Sequence, residues 1–182
     1  MITEDGTGVA NANSYVSEAA ADAYFTEHPK AATWAALSSS VKIGHLVHAT
    51  RILDGSVDWK GFRLDQMQSL EWPRYGIELP TPGVYSGLAN SLSVKPYWPS
   101  DQLPKEVQHA VCELAIANTE NGLSSDPTGT EGISSLSVGK GAVALTFDAK
   151  TVRTLLGKFV PTLLNRFAFS AGNSPMRRIV RG

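Results

Sequence analysis

Two histidines, His45 and His48, lie three residues apart in a stretch with helical spacing. On a helix this spacing places both imidazoles on one face, where they could bind a metal ion or exchange protons. A metal site also needs a third ligand, and no carboxylate or histidine follows at the HExxH spacing. The pattern therefore favours two ordinary helix residues, and the sequence predicts no metal site.

The remaining motifs that could support catalysis are incomplete. Cys112, the only cysteine, lies beside Val111 in the middle of an amphipathic stretch, which is typical of a packed structural thiol. Gly139, Lys140 and Gly141 lack the GxxxxGK[ST] frame and the following helix of a phosphate-binding loop. No GxSxG motif occurs either. We therefore predict no catalytic residue, no cofactor and no enzymatic activity.

Aromatic and basic residues are mixed between residues 59 and 98, as in proteins that stack single-stranded nucleic acid and bind its phosphates. Acidic residues are interleaved with them, which weakens the positive potential that nucleic acid would require. The aromatic residues also suit an ordered loop that packs over a small helical core. We favour this packing interpretation over stacking. The aromatic residues are Trp59, Trp72, Tyr75, Tyr97 and Trp98, and the basic ones are Lys60, Arg63, Arg74 and Lys95.

Apolar periodicity predicts the elements that must position these residues. A first helix opens at a serine cap, Ser14 or Ser17, and ends before Pro29. Two alternating runs around the Gly139 turn predict a β-hairpin. Helical character then returns in 150–169, where Gly157 and Pro161 would break or kink the helix. The first predicted helix runs from Ser14 or Ser17 to about residue 28, and the next two cover about 40–54 and 104–121.

The order of these elements predicts a mainly α protein, a small helical bundle with a long ordered loop, a β-hairpin and an extended basic C-terminal arm. Residues 1–13 are expected to be a loose leader, and 56–103 to form the long loop. We divide the chain into a helical body at 1–125, the hairpin with a C-terminal helix at 126–169, and the arm at 170–182.

Charges are segregated along the chain, although the net charge is only −1. Residues 1–148 carry nine basic and seventeen acidic side chains, whereas 149–182 carry seven basic and no acidic ones. A basic arm after an acidic body indicates docking on an acidic partner, on a neighbouring copy or on nucleic acid. No apolar run is long enough to span a membrane, and the polar N-terminus is unlike a signal peptide, so we expect no membrane association.

Four segments resemble successive blocks of the head–tail adaptor proteins of tailed bacteriophages, also called connector or head-completion proteins. Members of this group are also labelled DnaT-like single-stranded-DNA-binding. The resemblance covers about 12–120, with a long insertion at 79–100 that departs from the pattern. The segments are ANSYVSEAAADAYF, ATRILDGSVDWKGFR, QSLEWPRYG and LPKEVQHAVCELAIA. The most specific part is W-x-G followed by Q-x-L-x-W-P-R, here Trp59, Gly61, Gln68, Leu70, Trp72, Pro73 and Arg74.

The resemblance implies a structural virion protein without catalytic residues. Such adaptors form a ring, here expected to be a dodecamer, beneath the portal protein. The ring would join the portal to a tail completion or tail-terminator protein and enclose double-stranded DNA without sequence-specific binding. Its location would be the virion, and the host cytoplasm during assembly. The alternative is a DnaT-like replication accessory protein that binds single-stranded DNA, for which steep salt dependence would be the sign.

Three groups of residues receive roles in this interpretation. Trp59, Gly61, Trp72, Pro73 and Arg74 are expected to be structural residues of the body. The hairpin turn Gly139, Lys140 and Gly141 is expected to contact neighbouring copies, because a two-stranded hairpin is barely stable alone. The arm is expected to be mobile in the free protein and to add a β-strand to a partner. Its contact residues would be Arg177, Arg178, Ile179, Val180 and Arg181.

Overall fold

A computed structural model describes residues 1–79, 97–121, 133–139, 142–147 and 159–169. Within these residues five helices accompany two separate two-stranded antiparallel ribbons, which confirms the predicted mainly α class. The helices are α1 (Glu18–Phe25), α2 (Ala31–Ala35), α3 (Ser39–Ser56), α4 (Lys105–Asn121) and α5 (Phe159–Leu164). The strands are β1 (Phe62–Arg63), β2 (Arg74–Tyr75), β3 (Ile133–Gly139) and β4 (Ala142–Phe147).

The three predicted helices are confirmed as α1, α3 and α4, with bounds that differ by a few residues. Ser17 caps α1, since its hydroxyl accepts a hydrogen bond from the Ala20 amide at 3.2 Å. Helix α3 packs against α4, and both bury one apolar face. The buried residues of α3 are Leu46, Ala49, Thr50 and Leu53. Those of α4 include Val107, Ala110, Val111, Leu114 and Ala115.

Helix α2 was not predicted from the sequence. Its Trp34 is 2% exposed, lies 4.5 Å from the Phe25 ring between centroids, and donates its indole N–H to Asp22 at 2.7 Å. Five residues do not complete two helical turns, so the apolar pattern cannot reveal such a short helix. One buried indole and its carboxylate partner fix it instead.

The predicted loose leader at 1–13 is wrong, because a buried carboxylate organises this segment. Glu4 is 2% exposed and accepts backbone hydrogen bonds from Gly6, Gly8 and Val9, each at 2.9 Å. Its own amide donates to the Ser14 carbonyl at 2.9 Å. These three amides satisfy the buried carboxylate, and the carboxylate in turn holds the segment in one conformation, although its composition alone indicates an unstructured loop.

The predicted long loop contains the ribbon β1–β2 and is fixed to the core by tryptophans. Trp72 is fully buried and makes edge-to-face contacts with Trp59 and Phe167, at centroid distances of 5.9 and 5.6 Å. The Trp72–Pro73 peptide bond is cis. These contacts join the loop to the chain beyond α5. Most of the predicted insertion, residues 80–96, lies outside the described residues.

The predicted hairpin in the C-terminal half is confirmed. Strand β3 pairs with β4, and Gly139 lies opposite Ala142. Of the predicted helical stretch 150–169, the described part forms the short helix α5. Pro161 is the third residue of α5, and the predicted break at Gly157 lies outside the described residues. Helix α5 packs on α4. None of the helices in the described ranges is long and apolar enough to cross a membrane.

Candidate nucleic-acid interface

The short ribbon β1–β2 presents different side chains on its two faces. Phe62 pairs with Tyr75, and Arg63 pairs with Arg74. Because side chains alternate along a strand, the aromatic pair lies on one face and the arginine pair on the other. Phe62 and Tyr75 are 66% and 48% exposed, whereas Arg74 is 7% exposed. The ribbon therefore has an aromatic outer face and an arginine inner face.

Arg74 fixes the ribbon to the body through four acceptors. Its Nε donates to the Lys60 carbonyl at 2.8 Å, and its Nη2 donates to the Gly61 carbonyl at 2.9 Å. Its Nη1 donates to both the carbonyl and the carboxylate of Glu71, at 3.1 and 2.7 Å. Burial lowers the pKa of Arg74, and the Glu71 charge acts in the opposite direction. A guanidinium provides this many donors in one fixed geometry, which an ammonium does not.

Side chains close the loop between the two strands. The Arg63 guanidinium donates to the carbonyls of Gln68 and Leu70. The Gln68 amide in turn donates to the Leu70 carbonyl at 2.7 Å and to the Pro73 carbonyl at 3.1 Å. The loop is consequently held by side chain–backbone bonds, which explains how it keeps one conformation without regular structure.

A buried polar pair connects this loop to α3. The Tyr15 hydroxyl donates to Asp54 at 2.7 Å and accepts the Trp72 amide at 3.1 Å, while the Glu71 amide donates to Asp54 at 3.2 Å. Burial raises the pKa of Asp54 to about 6, although the Tyr15 hydrogen bond acts to lower it. Burial and the neighbouring Asp54 charge raise the pKa of Tyr15. These hydrogen bonds therefore fix the position of the loop relative to α3.

The outer face of the ribbon exposes aromatic and apolar groups. The rings of Phe62 and Tyr75 lie side by side, with centroids 5.6 Å apart and planes at 35°. In the adjoining loop, Leu64 and Met67 are 46% and 89% exposed. Contiguous apolar exposure of this kind marks surfaces that bind a partner. Either a stacked base or an apolar protein surface could cover these two rings.

A groove of about 690 Å³ lies beside the ribbon, between the glycines that flank its strands and residues 165–169. Gly61 and Gly76 both have positive φ, at +70° and +77°. A Cβ on Gly61 would lie 2.4 Å from the Tyr75 carbonyl oxygen, so only glycine permits this approach. The groove is thus built into the backbone geometry at one end of the ribbon, where Gly61 and Gly76 lie on opposite strands next to the Phe62–Tyr75 pair.

Two basic side chains and one acidic side chain border the groove. The Lys60 ammonium donates to the carbonyls of Asn165 and Arg166, at 3.1 and 3.2 Å, and lies 5.9 Å from the Phe169 ring centroid. Arg166 and Glu78 are both exposed. The groove therefore combines an apolar wall with a net positive border, which suits an anionic ligand that has a flat apolar part.

The predicted aromatic residues divide between core and surface. Trp59 and Trp72 are buried, as the packing interpretation predicts, and cannot stack on a base. Tyr75 and Tyr97 are 48% and 52% exposed, against that interpretation. Phe62, the most exposed aromatic ring among the described residues, was not singled out from the sequence. Its signal would have been the aromatic–arginine order of Phe62–Arg63, reversed in Arg74–Tyr75.

The residues considered for metal or nucleophilic chemistry lie elsewhere. The His45 Nδ1 is 2.6 Å from the Asn118 side-chain nitrogen, and burial, followed by the charge of His48, lowers the pKa of His45. Burial, with a smaller effect of Glu113, raises the pKa of Cys112 to about 12, which disfavours a thiolate. Over the described parts of the chain, no three His, Cys, Asp or Glu side chains converge as metal ligands would.

The structural motif and the expected interface residues are placed as follows. Trp59, Trp72, Pro73 and Arg74 are buried, and Gly61 lines the groove. Gly139 is the last residue of β3. Lys140 and Gly141 lie outside the described residues, as do Arg177, Arg178, Ile179, Val180 and Arg181.

Comparison with models of protein families gives a match over the whole chain. A family model described as "Putative DnaT-like ssDNA binding protein" matches residues 1–182. Neither a curated protein nor a solved structure matches the chain significantly.

Proposed function

The chain belongs to the family described as putative DnaT-like ssDNA binding proteins, and from this membership we propose that it binds single-stranded DNA through the outer face of the ribbon β1–β2. The observation that carries the proposal is the exposed pair Phe62 and Tyr75 beside a groove bordered by Lys60 and Arg166. Proteins that bind single strands combine stacking rings with a basic path for the backbone.

The aromatic pair is suited to stacking because its position is fixed from behind. Arg74 joins β2 to the backbone of residues 60 and 61 by hydrogen bonds, so the two rings already have fixed positions before DNA binds. A rigid platform loses little conformational entropy on binding. Every base has a flat apolar face, so such a platform binds single strands with little sequence preference.

Electrostatics set the expected strength of this binding. Residues 1–148 are acidic overall, and Glu78 stands at the groove itself. Attraction of phosphates is therefore local to Lys60 and Arg166 rather than spread over the surface. We expect moderate affinity and a salt dependence shallower than the steep one expected from the sequence, because few counterions are released when few phosphates are contacted.

The test is fluorescence anisotropy of the full chain with a labelled thymidine oligonucleotide of about 15 nucleotides, near the upper end of known site sizes. Phe62→Ala and Tyr75→Ala should each weaken binding by about 5- to 150-fold, the equivalent of one stacked base. Phe159→Ala is the matched control, because Phe159 is 56% exposed but lies in α5 outside the ribbon and groove. Equal effects of Phe62→Ala and Phe159→Ala would refute the proposal.

A second candidate function is the head–tail adaptor ring of a tailed phage, a role of assembly without catalysis. Two observations favour it. Phe62, Leu64 and Met67 expose apolar surface that a neighbouring copy could bury. The acidic body and the basic segment 149–182 suit a contact between unlike surfaces, which closes into a ring. Its partners would be the portal, neighbouring copies in a dodecamer and a tail completion protein, in the virion.

This second function has its own test. In a mixture with purified portal, the full chain should form rings whose assembly is insensitive to salt and independent of single-stranded DNA. Deletion of 137–143 should leave a folded monomer that does not join the ring, and truncation after Phe169 should abolish docking. Normal assembly by both shortened chains would contradict the proposed contacts of hairpin and arm.

A further inference from the structure

We propose that the groove beside the ribbon binds one unstacked nucleotide of the single strand, with its phosphate on Arg166 and its base against Phe169. This inference rests on the proposed binding of single-stranded DNA and specifies how the strand is held. The volume of about 690 Å³ falls within the range of small-molecule sites. A groove of this volume accommodates one nucleotide unit.

Continuity between the aromatic pair and the groove supports this path. Phe62 follows the groove residue Gly61, and Tyr75 precedes the groove residue Gly76. A strand that stacks on the two rings therefore reaches the groove at its next nucleotide. A Cβ on Gly76 would make an ordinary contact with the Phe62 ring, at 3.6 Å, so this groove residue lies directly beside the aromatic pair.

The polar groups of the groove are arranged for a phosphate and a base. Lys60 is held by the carbonyls of residues 165 and 166 and projects a fixed positive charge toward Phe169. Arg166 is exposed, and its guanidinium can pair with a phosphate through two N–H groups. Glu78 also lines the groove, and its carboxylate repels a phosphate. The exposed Asn165 amide can both donate to and accept from a base edge.

The same features disfavour other occupants. The charged residues of the segment that follows Phe169, residues 170–182, are all arginines. These arginines would face the like charges of Lys60 and Arg166, so the protein's own arm is a poor ligand for the groove. Bases of a duplex remain stacked and paired, and extruding one of them costs several kcal/mol. An already unstacked strand enters without that cost.

The experiment separates the phosphate from the base. The full chain is titrated with a thymidine oligonucleotide of about 15 nucleotides and with an abasic strand of the same length, at several salt concentrations. Arg166→Ala should reduce the slope of log affinity against log salt by about 0.7, the value for one lost phosphate contact on a single strand. Arg51→Ala, which removes another exposed arginine, from α3, should leave the slope unchanged.

Contact with the base is tested by Phe169→Leu. This substitution keeps an apolar side chain and the hydrogen bond that the amide of residue 169 donates to the Asp58 carbonyl. It should reduce the preference for thymidine over the abasic strand by about fivefold or more, the low end of one stacking contact. A thermal melt confirms that each variant is folded. The slope measurement on Arg166→Ala is independent of any packing change at Phe169.

Two results would overturn the groove assignment while the platform stands. One is an Arg166→Ala salt slope equal to that of Arg51→Ala. The other is an unchanged thymidine preference in Phe169→Leu, in a protein that still loses affinity on Phe62→Ala. A wild-type chain that binds neither strand would overturn the proposed function and this inference together, so the two failures are distinguishable.

Discussion

Replacement of Arg74 by lysine tests how the aromatic ribbon is held. Arg74 is 7% exposed and donates to the carbonyls of Lys60, Gly61 and Glu71 and to the Glu71 carboxylate. Lysine keeps the positive charge but offers one nitrogen in place of a planar fork. Arg74→Lys therefore keeps the charge but removes the planar set of N–H donors, and at least two of the four acceptors lose their hydrogen bond.

The cost follows from the acceptors that lose a donor. A buried carbonyl without a partner costs about 1–3 kcal/mol. The Glu71 side chain is 32% exposed, so water screens its ion pair with Arg74 and that contribution is small. Two orphaned carbonyls then give a loss of about 3 kcal/mol in the free energy of unfolding. For a chain of this size that corresponds to a melting temperature lower by roughly 10 °C.

Urea denaturation followed by far-ultraviolet circular dichroism measures this loss. The transition midpoint of Arg74→Lys should fall while the slope m is unchanged, because the same surface is exposed on unfolding. Arg51→Lys makes the same substitution at an exposed position of α3 and should leave the midpoint unchanged. A loss below about 0.5 kcal/mol for Arg74→Lys, the range of ordinary surface substitutions, would refute the assignment of Arg74 as the anchor of the ribbon.

Three further predictions follow from the same region. Trp72→Ala should cost about 3–5 kcal/mol in a thermal melt, whereas Trp72→Phe should cost much less, because the buried indole N–H has no hydrogen-bond partner among the described residues. Equal costs would contradict this. Gly61→Ala should destabilise by more than about 2 kcal/mol through a positive φ and a 2.4 Å contact, whereas Gly44→Ala, in open space on α3, should stabilise by up to about 1 kcal/mol. Two changes of the same sign would argue against this backbone geometry. Folding raises the pKa of Asp54 from 3.8 to about 6, so the folded protein binds a proton at Asp54 more tightly than the unfolded chain does. The stability that this proton contributes is lost as the pH rises through about 6. Wild type should therefore lose about 2 kcal/mol relative to Asp54→Asn between about pH 4.5 and about pH 7, and a pH-independent difference would disprove the burial of this carboxylate.

The sequence alone could predict the elements with a long repeating pattern. Helices α3 and α4 span 18 and 17 residues, enough for apolar side chains to recur on one face several times. The hairpin β3–β4 shows the alternation of two short strands around glycines. Helix α2 and the Glu4 loop were missed because a single buried side chain stabilises each of them. A lone Trp34 or Glu4 makes no pattern.

The candidate site shows the same division. Composition alone brings aromatic and basic residues together in the segment after α3, and it determines that several of them must be anchored. It does not determine which ring faces water, because strands of two residues are too short for alternation to be recognised. Pairing of Phe62 with Tyr75 and burial of Arg74 decide that face. The groove needs Arg166 beside Lys60, more than a hundred residues apart in the chain, and only tertiary packing of the segment after α5 creates that proximity.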